Sequence, residues 1–252
     1  MQGQIMIPAG TKEVLFLVQN GSLRVNPGTE RAVVYHGGLR RNADNQALLA
    51  QIEAIPPVFT AVQDPENPAR LVVRAPFVAK ELVGRAFIAI ETEVALPPEL
   101  AVVVEVEGSG HLEATGREAP LRMATQRGDL RVMQCHGPTK ARTGQGMTII
   151  YDHCGDLDVE VRGGDIQAFV RQPGSRLRLV TGQGNVQCHV PQETGFRLDG
   201  RTQTGKVANG FGIPLERNDY TSTMVGERGD ARCQIVLRTE TGFLSLSHKK
   251  FE

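Results

Sequence analysis

Tryptophan is absent, and aromatic residues make up only 5% of the 252 residues. Without large rings, the core must be filled by Val, Leu, Ile and Ala, which suits thin stacked layers of strands better than a bulky centre. Cysteine is scarce. Four in a chain of this length do not form a disulfide framework, and they agree with a reducing compartment. Net charge is also lacking: 28 basic residues balance 28 acidic ones, so nothing steers the chain toward nucleic acid or an anionic membrane. No apolar run approaches the roughly 18 residues of a transmembrane helix. The longest, Val14 to Val18 and Leu100 to Val104, are the size of strands. Met1 to Gly10 lacks a basic start followed by an apolar core, so no signal peptide is expected and the expected location is cytoplasmic.

Glycine and proline, in contrast, are plentiful, at 28 and 14 residues, and they favour many short strands. Gly128, Gly137, Gly146, Gly155 and Gly164 stand nine residues apart, and the series continues more loosely through Gly184, Gly195, Gly205 and Gly242. Alternating apolar residues follow several of them: Leu157, Val159 and Val161 after Gly155, Ile166, Ala168 and Val170 after Gly164, and Val186, Cys188 and Val190 after Gly184. That alternation marks strands with one buried face. A strand of about six residues plus a turn fills nine residues, so two such units make a coil. The expected fold is all-β, a repetitive β-solenoid with about 18–20 residues per coil.

The repeat region is placed at residues 121–252. Residues 1–120 form an N-terminal β region packed on it, the whole read as one continuous domain. Strands are expected at Glu13 to Val18, Ser22 to Val25, Ala32 to Tyr35, Leu71 to Arg74, Arg85 to Glu93 and Ala101 to Val106. One helix is expected near residues 43–54, with Ala47, Leu48, Ile52 and Ile55 on one face, Asn42 or Asp44 as its cap and Pro56-Pro57 as its stop. With the N-terminal strands it caps the stack. Residues Gly210 to Arg228 break the period and are expected to form a long loop. Gly242 to Ser247 is read as an open end strand, guarded only by the charged tail His248 to Glu252, so a homo-oligomer is expected to use this C-terminal strand.

Several coils share a corner pattern, as in Thr125-Gln-Arg-Gly-Asp-Leu-Arg-Val132, Thr181-Gly-Gln-Gly-Asn-Val-Gln-Cys-His-Val190, Thr202-Gln-Thr-Gly-Lys-Val207 and Thr239-Glu-Thr-Gly-Phe-Leu-Ser-Leu246. Repeated Thr at one corner suggests a hydroxyl ladder that stabilises the turn. These units resemble the bacterial DUF4097 family, also called the adhesin or toastrack domain, over residues 121–248. The resemblance implies a repetitive β-structure without an assigned catalytic site, often attached to membrane-associated signalling or envelope systems.

Three constellations carry possible chemistry. Cys135-His136 and His153-Cys154 lie eighteen residues apart, one coil, and supply four zinc-type ligands if the chain turns to bring them together. The favoured reading is no metal site and no cofactor, with these four as the metal candidates. Asp129 and Asp165 stack with Met147 between them, about 10 Å apart from strand spacing, as a glycan-cleaving β-helix would place its carboxylates. Gly-Asp is equally a favoured turn pair. Gly200 to Val207 imitates a P-loop but has Val207 where the metal-binding hydroxyl belongs. Cys188 and Cys233 fall on inward positions and read as core. The function that remains is a non-enzymatic interaction or scaffold module with an unidentified protein partner. The alternatives are a carbohydrate-active enzyme and a metal-binding repeat protein.

Overall fold

The structure, a computed structural model, describes residues 1–250, so the end of the charged tail, Phe251 and Glu252, lies outside the described residues. Strand accounts for 63% of the residues and helix for 4%, which places the chain in the all-β class that its glycine spacing predicts. The chain divides into two compact units, Met1–Gly128 and Asp129–Glu252.

Unit 1 contains β1 (Gln2–Met6), β2 (Glu13–Val18), β3 (Gly21–Pro27), β4 (Ala32–Ala43), α1 (Gln46–Glu53), β5 (Thr60–Gln63), β6 (Arg70–Arg74), β7 (Ala86–Leu96), β8 (Ala101–Ser109), β9 (Leu112–Thr115) and β10 (Leu121–Arg127). They form two rows, β5-β6-β2-β8-β10 and β1-β4-β7-β3-β9. Within both rows the coil β2–β3 sits between later strands: β2 pairs with β6 and β8, and β3 with β7 and β9. The burial of β2 alternates strictly, with Val14, Phe16 and Val18 inward, as its alternating sequence dictates.

The cap of α1 is Asn45, whose side chain accepts the Leu48 N–H at 3.0 Å; neither Asn42 nor Asp44 takes that place. Leu48 and Ile52 are buried, whereas Ala47 is exposed. The helix rests on β4 and β7, where Ile52 packs with Val78, Ala86 and Ile88. Arg41 of β4 donates to the carbonyls of Ile52 (3.0 Å) and Ile55 (2.6 Å), satisfying acceptors that a helix end leaves open.

An arginine absent from the sequence-based core supports the far end of β7. Arg117 is fully buried, and its guanidinium donates to the carbonyls of Leu96 (3.1 Å), Pro97 (2.6 Å) and Leu100 (2.8 Å). It thereby fastens the Leu96 to Leu100 connection, whose prolines rule out ordinary ladder bonds.

Unit 2 contains β11 (Leu130–Met133), β12 (Thr139–Gln145), β13 (Thr148–Gly163), β14 (Ile166–Gln183), β15 (Val186–Val190), β16 (Phe196–Thr204), β17 (Val207–Asn209), β18 (Leu215–Arg217), β19 (Ser222–Arg228), β20 (Cys233–Thr241) and β21 (Leu244–His248). β13 and β14 each run around a corner, so their first and second halves belong to different rows. One row is β11-β13-β14-β15-β21-β17, parallel throughout. The other is β12-β13-β14-β20-β16-β19-β18, parallel as far as β16 and antiparallel beyond it. Inward columns are apolar: Ile150, Ala168, Cys188 and Leu246 lie in register and are all fully buried. Cys188 and Cys233 are therefore core side chains with free thiols.

The corner is built by Thr and Gly together. Thr181 donates its hydroxyl to the Gly164 carbonyl at 2.9 Å, Thr239 to that of Gly184 at 2.9 Å, and Thr202 to that of Gly242 at 3.1 Å. The expected ladder exists, but each hydroxyl bonds a glycine carbonyl of the next coil rather than another hydroxyl.

Two expectations are corrected. Gly210 to Arg228 is not simply a loop, because it contains the β18–β19 hairpin, which adds to β16. Ser222 and Met224 are buried in alternation, and Asn218 closes the turn by accepting the N–H groups of Tyr220 (2.9 Å) and Thr221 (2.7 Å). The C-terminal strand is not an open edge either. β21 is flanked by β15 on one side and β17 on the other, so its backbone groups over Leu244 to Leu246 are already paired and cannot recruit a second copy. The last coil is inserted between earlier ones instead of ending the stack.

Candidate functional site

The two outer faces of unit 2 differ sharply in chemistry. Along the β12-to-β18 row, Arg178 meets Asp158 (2.9 Å) and Glu160 (3.7 Å), Arg201 meets Asp199 (3.0 Å), Arg238 meets the same Asp199, and Arg197 meets Glu227 (2.6 Å). Arg238, chiefly through its hydrogen bond, and Arg201 hold the Asp199 carboxyl below its ordinary range against the opposing effect of burial. The face is a solvated ladder of ion pairs, each worth little.

On the β11-to-β17 row an ion pair joins Arg171 to the buried Asp152 beside the corner. The outward column of this row carries Tyr151, Phe169, His189 and Ser247 in register. Phe169 and His189 stack with centroids 4.4 Å apart and ring planes within 7°, and Tyr151 lies tilted at 5.6 Å from Phe169. Ser247 Oγ is 2.7 Å from His189 Nδ1. Lys249, anchored by its N–H on the Val190 carbonyl (3.1 Å), places its ammonium 4.0 Å from the Phe169 ring and 4.9 Å from that of Tyr151. Burial, with Lys249 adding to it, pushes the His189 imidazole toward its neutral form. In the neighbouring outward column, Gln167 donates to Gln187 at 3.4 Å. The result is a cluster of rings and amides with the Lys249 ammonium set across two of the rings.

Sequence reasoning missed this stripe. Its signal was present: Tyr151, Phe169, His189 and Ser247 each stand five residues after a corner glycine, at Gly146, Gly164, Gly184 and Gly242. Because Phe169 and His189 stand face to face and the Lys249 ammonium lies over Phe169, these rings do not form an open platform for a sugar ring.

The carboxylates singled out from sequence serve the corners. Asp129 Oδ1 accepts the Met147 N–H at 2.9 Å, and Asp165 Oδ1 accepts the Asn185 N–H at 2.7 Å. Asn185 repeats the bond to the Phe243 N–H at 2.9 Å. The predicted stacking of Asp129 under Met147 therefore exists, and Asp165 continues it under Asn185, as a ladder of turn bonds. Gly200 to Val207 lies on β16 and the turn into β17, with no helix after it.

The Cys and His candidates divide by environment. Cys135 and His153 are fully buried, His136 is exposed and Cys154 is half-buried. The Cys154 N–H donates to the Cys135 carbonyl at 2.9 Å, so the two coils meet here through backbone. Among the described residues, no three His, Cys, Asp or Glu side chains gather in a way that would hold a metal. His153 Nε2 lies 3.2 Å from the Asp156 carbonyl. Burial pushes its pKa below the ordinary 6.5, and His136 adds to that, while the Asp156 and Cys135 backbones pull the other way.

This depression has a thermodynamic consequence. Below pH 6.5 the unfolded chain binds a proton that the folded chain refuses, so stability is full above that value and falls as pH drops toward the depressed one. Melting temperature is expected to decline between pH 7 and pH 5, and His153→Gln, which keeps a donor for Asp156, should remove part of that slope. His189 contributes with the same sign. Identical slopes in both proteins would refute the assignment to His153.

No helix among the described residues is long and apolar enough to cross a membrane. No known protein-family profile matches the chain, and no curated protein matches it in sequence. Among solved structures, it is similar to a "putative cell adhesion protein" from Clostridium sporogenes, at 10% identity and a TM-score of 0.40, over 99% of this chain and 100% of that one.

Proposed function

We propose that the protein is a non-enzymatic interaction module of the adhesin-like, toastrack type, which binds a protein partner through the β11-to-β17 face of unit 2. The observation that carries this reading is the Tyr151–Phe169–His189 stripe in outward register, beside a second face covered with ion pairs. Exposed aromatic side chains on a rigid sheet offer contact area at small entropic cost, and Tyr is among the residues that dominate binding energies. The corner bonds of Asp129 and Asp165 favour this reading over a glycan-cleaving one, since both carboxylates are committed to backbone N–H groups. Membership of the DUF4097 family belongs to the same proposal and rests on the Thr-x-x-Gly corners.

The test is quantitative affinity capture from the native cell with three baits. The wild-type chain and Arg142→Ser, altered on the ion-pair face, are expected to retain the same stoichiometric protein. A Tyr151→Ser/Phe169→Ser double variant should lose it, with affinity reduced ~30-fold for a contact of about 2 kcal/mol. Equal retention by all three baits overturns the choice of face. A glycan-cleaving activity abolished by Asp129→Asn and Asp165→Asn overturns the non-enzymatic reading.

A further inference from the structure

Unit 1 holds a second surface, built on the connection between β6 and β7. Val78 is 1% exposed, yet its neighbour Phe77 is 54% exposed and Val83 57%. The segment is firmly braced. Val78 packs with Ile52, Ala86 and Ile88, and Leu82 rests on the same cluster. The Gln19 side chain mimics a neighbouring strand: its Oε1 accepts the Val78 N–H at 2.9 Å, and its Nε2 donates to the Val78 carbonyl at 3.1 Å. Apolar side chains held outward by such a support mark a binding surface, because no loss of loop freedom accompanies their use.

Phe77 and Val83 line a cleft of about 960 Å³ with Arg74 and Lys80. A second cleft of about 600 Å³ shares Asn20 with the first and is lined by Phe87, Arg40 and Arg127. Both volumes fall in the range of ligand sites. Arg40 is paired with Glu91. Arg74, Lys80 and Arg127 have no ion-pair partner among the described residues, and Glu107 is the single carboxylate lining either cleft. In a chain whose charges balance overall, this is a local positive excess interleaved with phenyl rings.

We propose that the groove binds an extended acidic segment of a partner protein. Its apolar side chains lie against Phe77, Val83 and Phe87, and its carboxylates face Arg74, Lys80 and Arg127. An extended chain suits this arrangement because the two clefts are neighbours that share Asn20 in their walls. A bilayer fits less well, since these side chains line concavities rather than stand proud of the surface.

The probe is a fluorescently labelled decapeptide of alternating Glu and Leu, titrated into the full chain and followed by anisotropy. Saturable binding is expected, weakened about tenfold or more by Arg74→Glu/Lys80→Glu and by Phe77→Ser, and weakened by added salt. A Lys/Leu decapeptide should not bind. Phe169→Ser, on unit 2, should bind the acidic peptide like the wild type, which separates this site from the face assigned above. Absence of binding, equal binding by the charge-reversed variant, or equal binding of the Lys/Leu peptide overturns the proposal. Sedimentation with vesicles of anionic lipid, lost on the same substitutions when the acidic peptide does not bind, assigns the groove to a membrane instead.

Discussion

Gly184→Ala is expected to cost roughly 3 kcal/mol or more, lowering the melting temperature by about 6–12 °C in a protein of this size. Gly184 has φ +138°, a conformation that residues with a side chain rarely adopt. It also stands in a column of corner glycines whose backbones touch. A Cβ at Gly184 would overlap the carbonyl of Gly164 and approach Asp165 Oδ1 at 2.9 Å. That carbonyl already accepts the Thr181 hydroxyl, so it cannot retreat without breaking the corner bond. A Cβ at Gly242 would in turn meet the Gly184 carbonyl, so a shift at one coil is passed to the next. Gly163→Ala is the control: nothing lies within 4 Å of its Cβ, and a change within about 0.5 kcal/mol is expected there. Thermal denaturation of both variants checks the claim. Equal losses would show that glycine is needed for general flexibility and not for the close stacking.

The same column explains how much of the fold was legible in the sequence. Period and alternation are local properties, imposed on every coil by the same corner, and so the strands from Gly155 to Val190 appear where the pattern places them. β2 matches its expected bounds, Glu13–Val18, for the same reason. Coil order is not local. β20 and β21 have the same Thr-x-x-Gly corner as their neighbours, so nothing in their residues distinguishes the end of a stack from its interior. Their real position, between β14–β15 and β16–β17, depends on which edges remain open after earlier coils have paired. The β18–β19 hairpin hid for a related reason: only Ser222 and Met224 alternate inward, too short a run to read as a strand. The aromatic stripe escapes a reading of inward positions, because its residues are far apart in sequence and meet only across neighbouring strands. Register would have revealed it.

Arg117 was invisible in the sequence, and its removal is expected to have the second large effect. A lone arginine between Gly116 and Glu118 reads as solvated surface, since charged side chains are rarely buried. Here it is fully buried and answers three carbonyls at once. Arg117→Ala should destabilise the protein by about 3–5 kcal/mol, since a cavity opens and the acceptors of Leu96, Pro97 and Leu100 lose their donors in a place water reaches poorly. Arg117→Met separates the two causes, as it restores most of the volume but none of the N–H groups. If the hydrogen bonds dominate, Met should rescue little, and Arg117→Lys should fall between, its single ammonium unable to span three carbonyls fixed by a planar fork. Chemical denaturation of the three variants decides the matter. A methionine variant as stable as the wild type would mean that the arginine fills space and that the carbonyls find other partners.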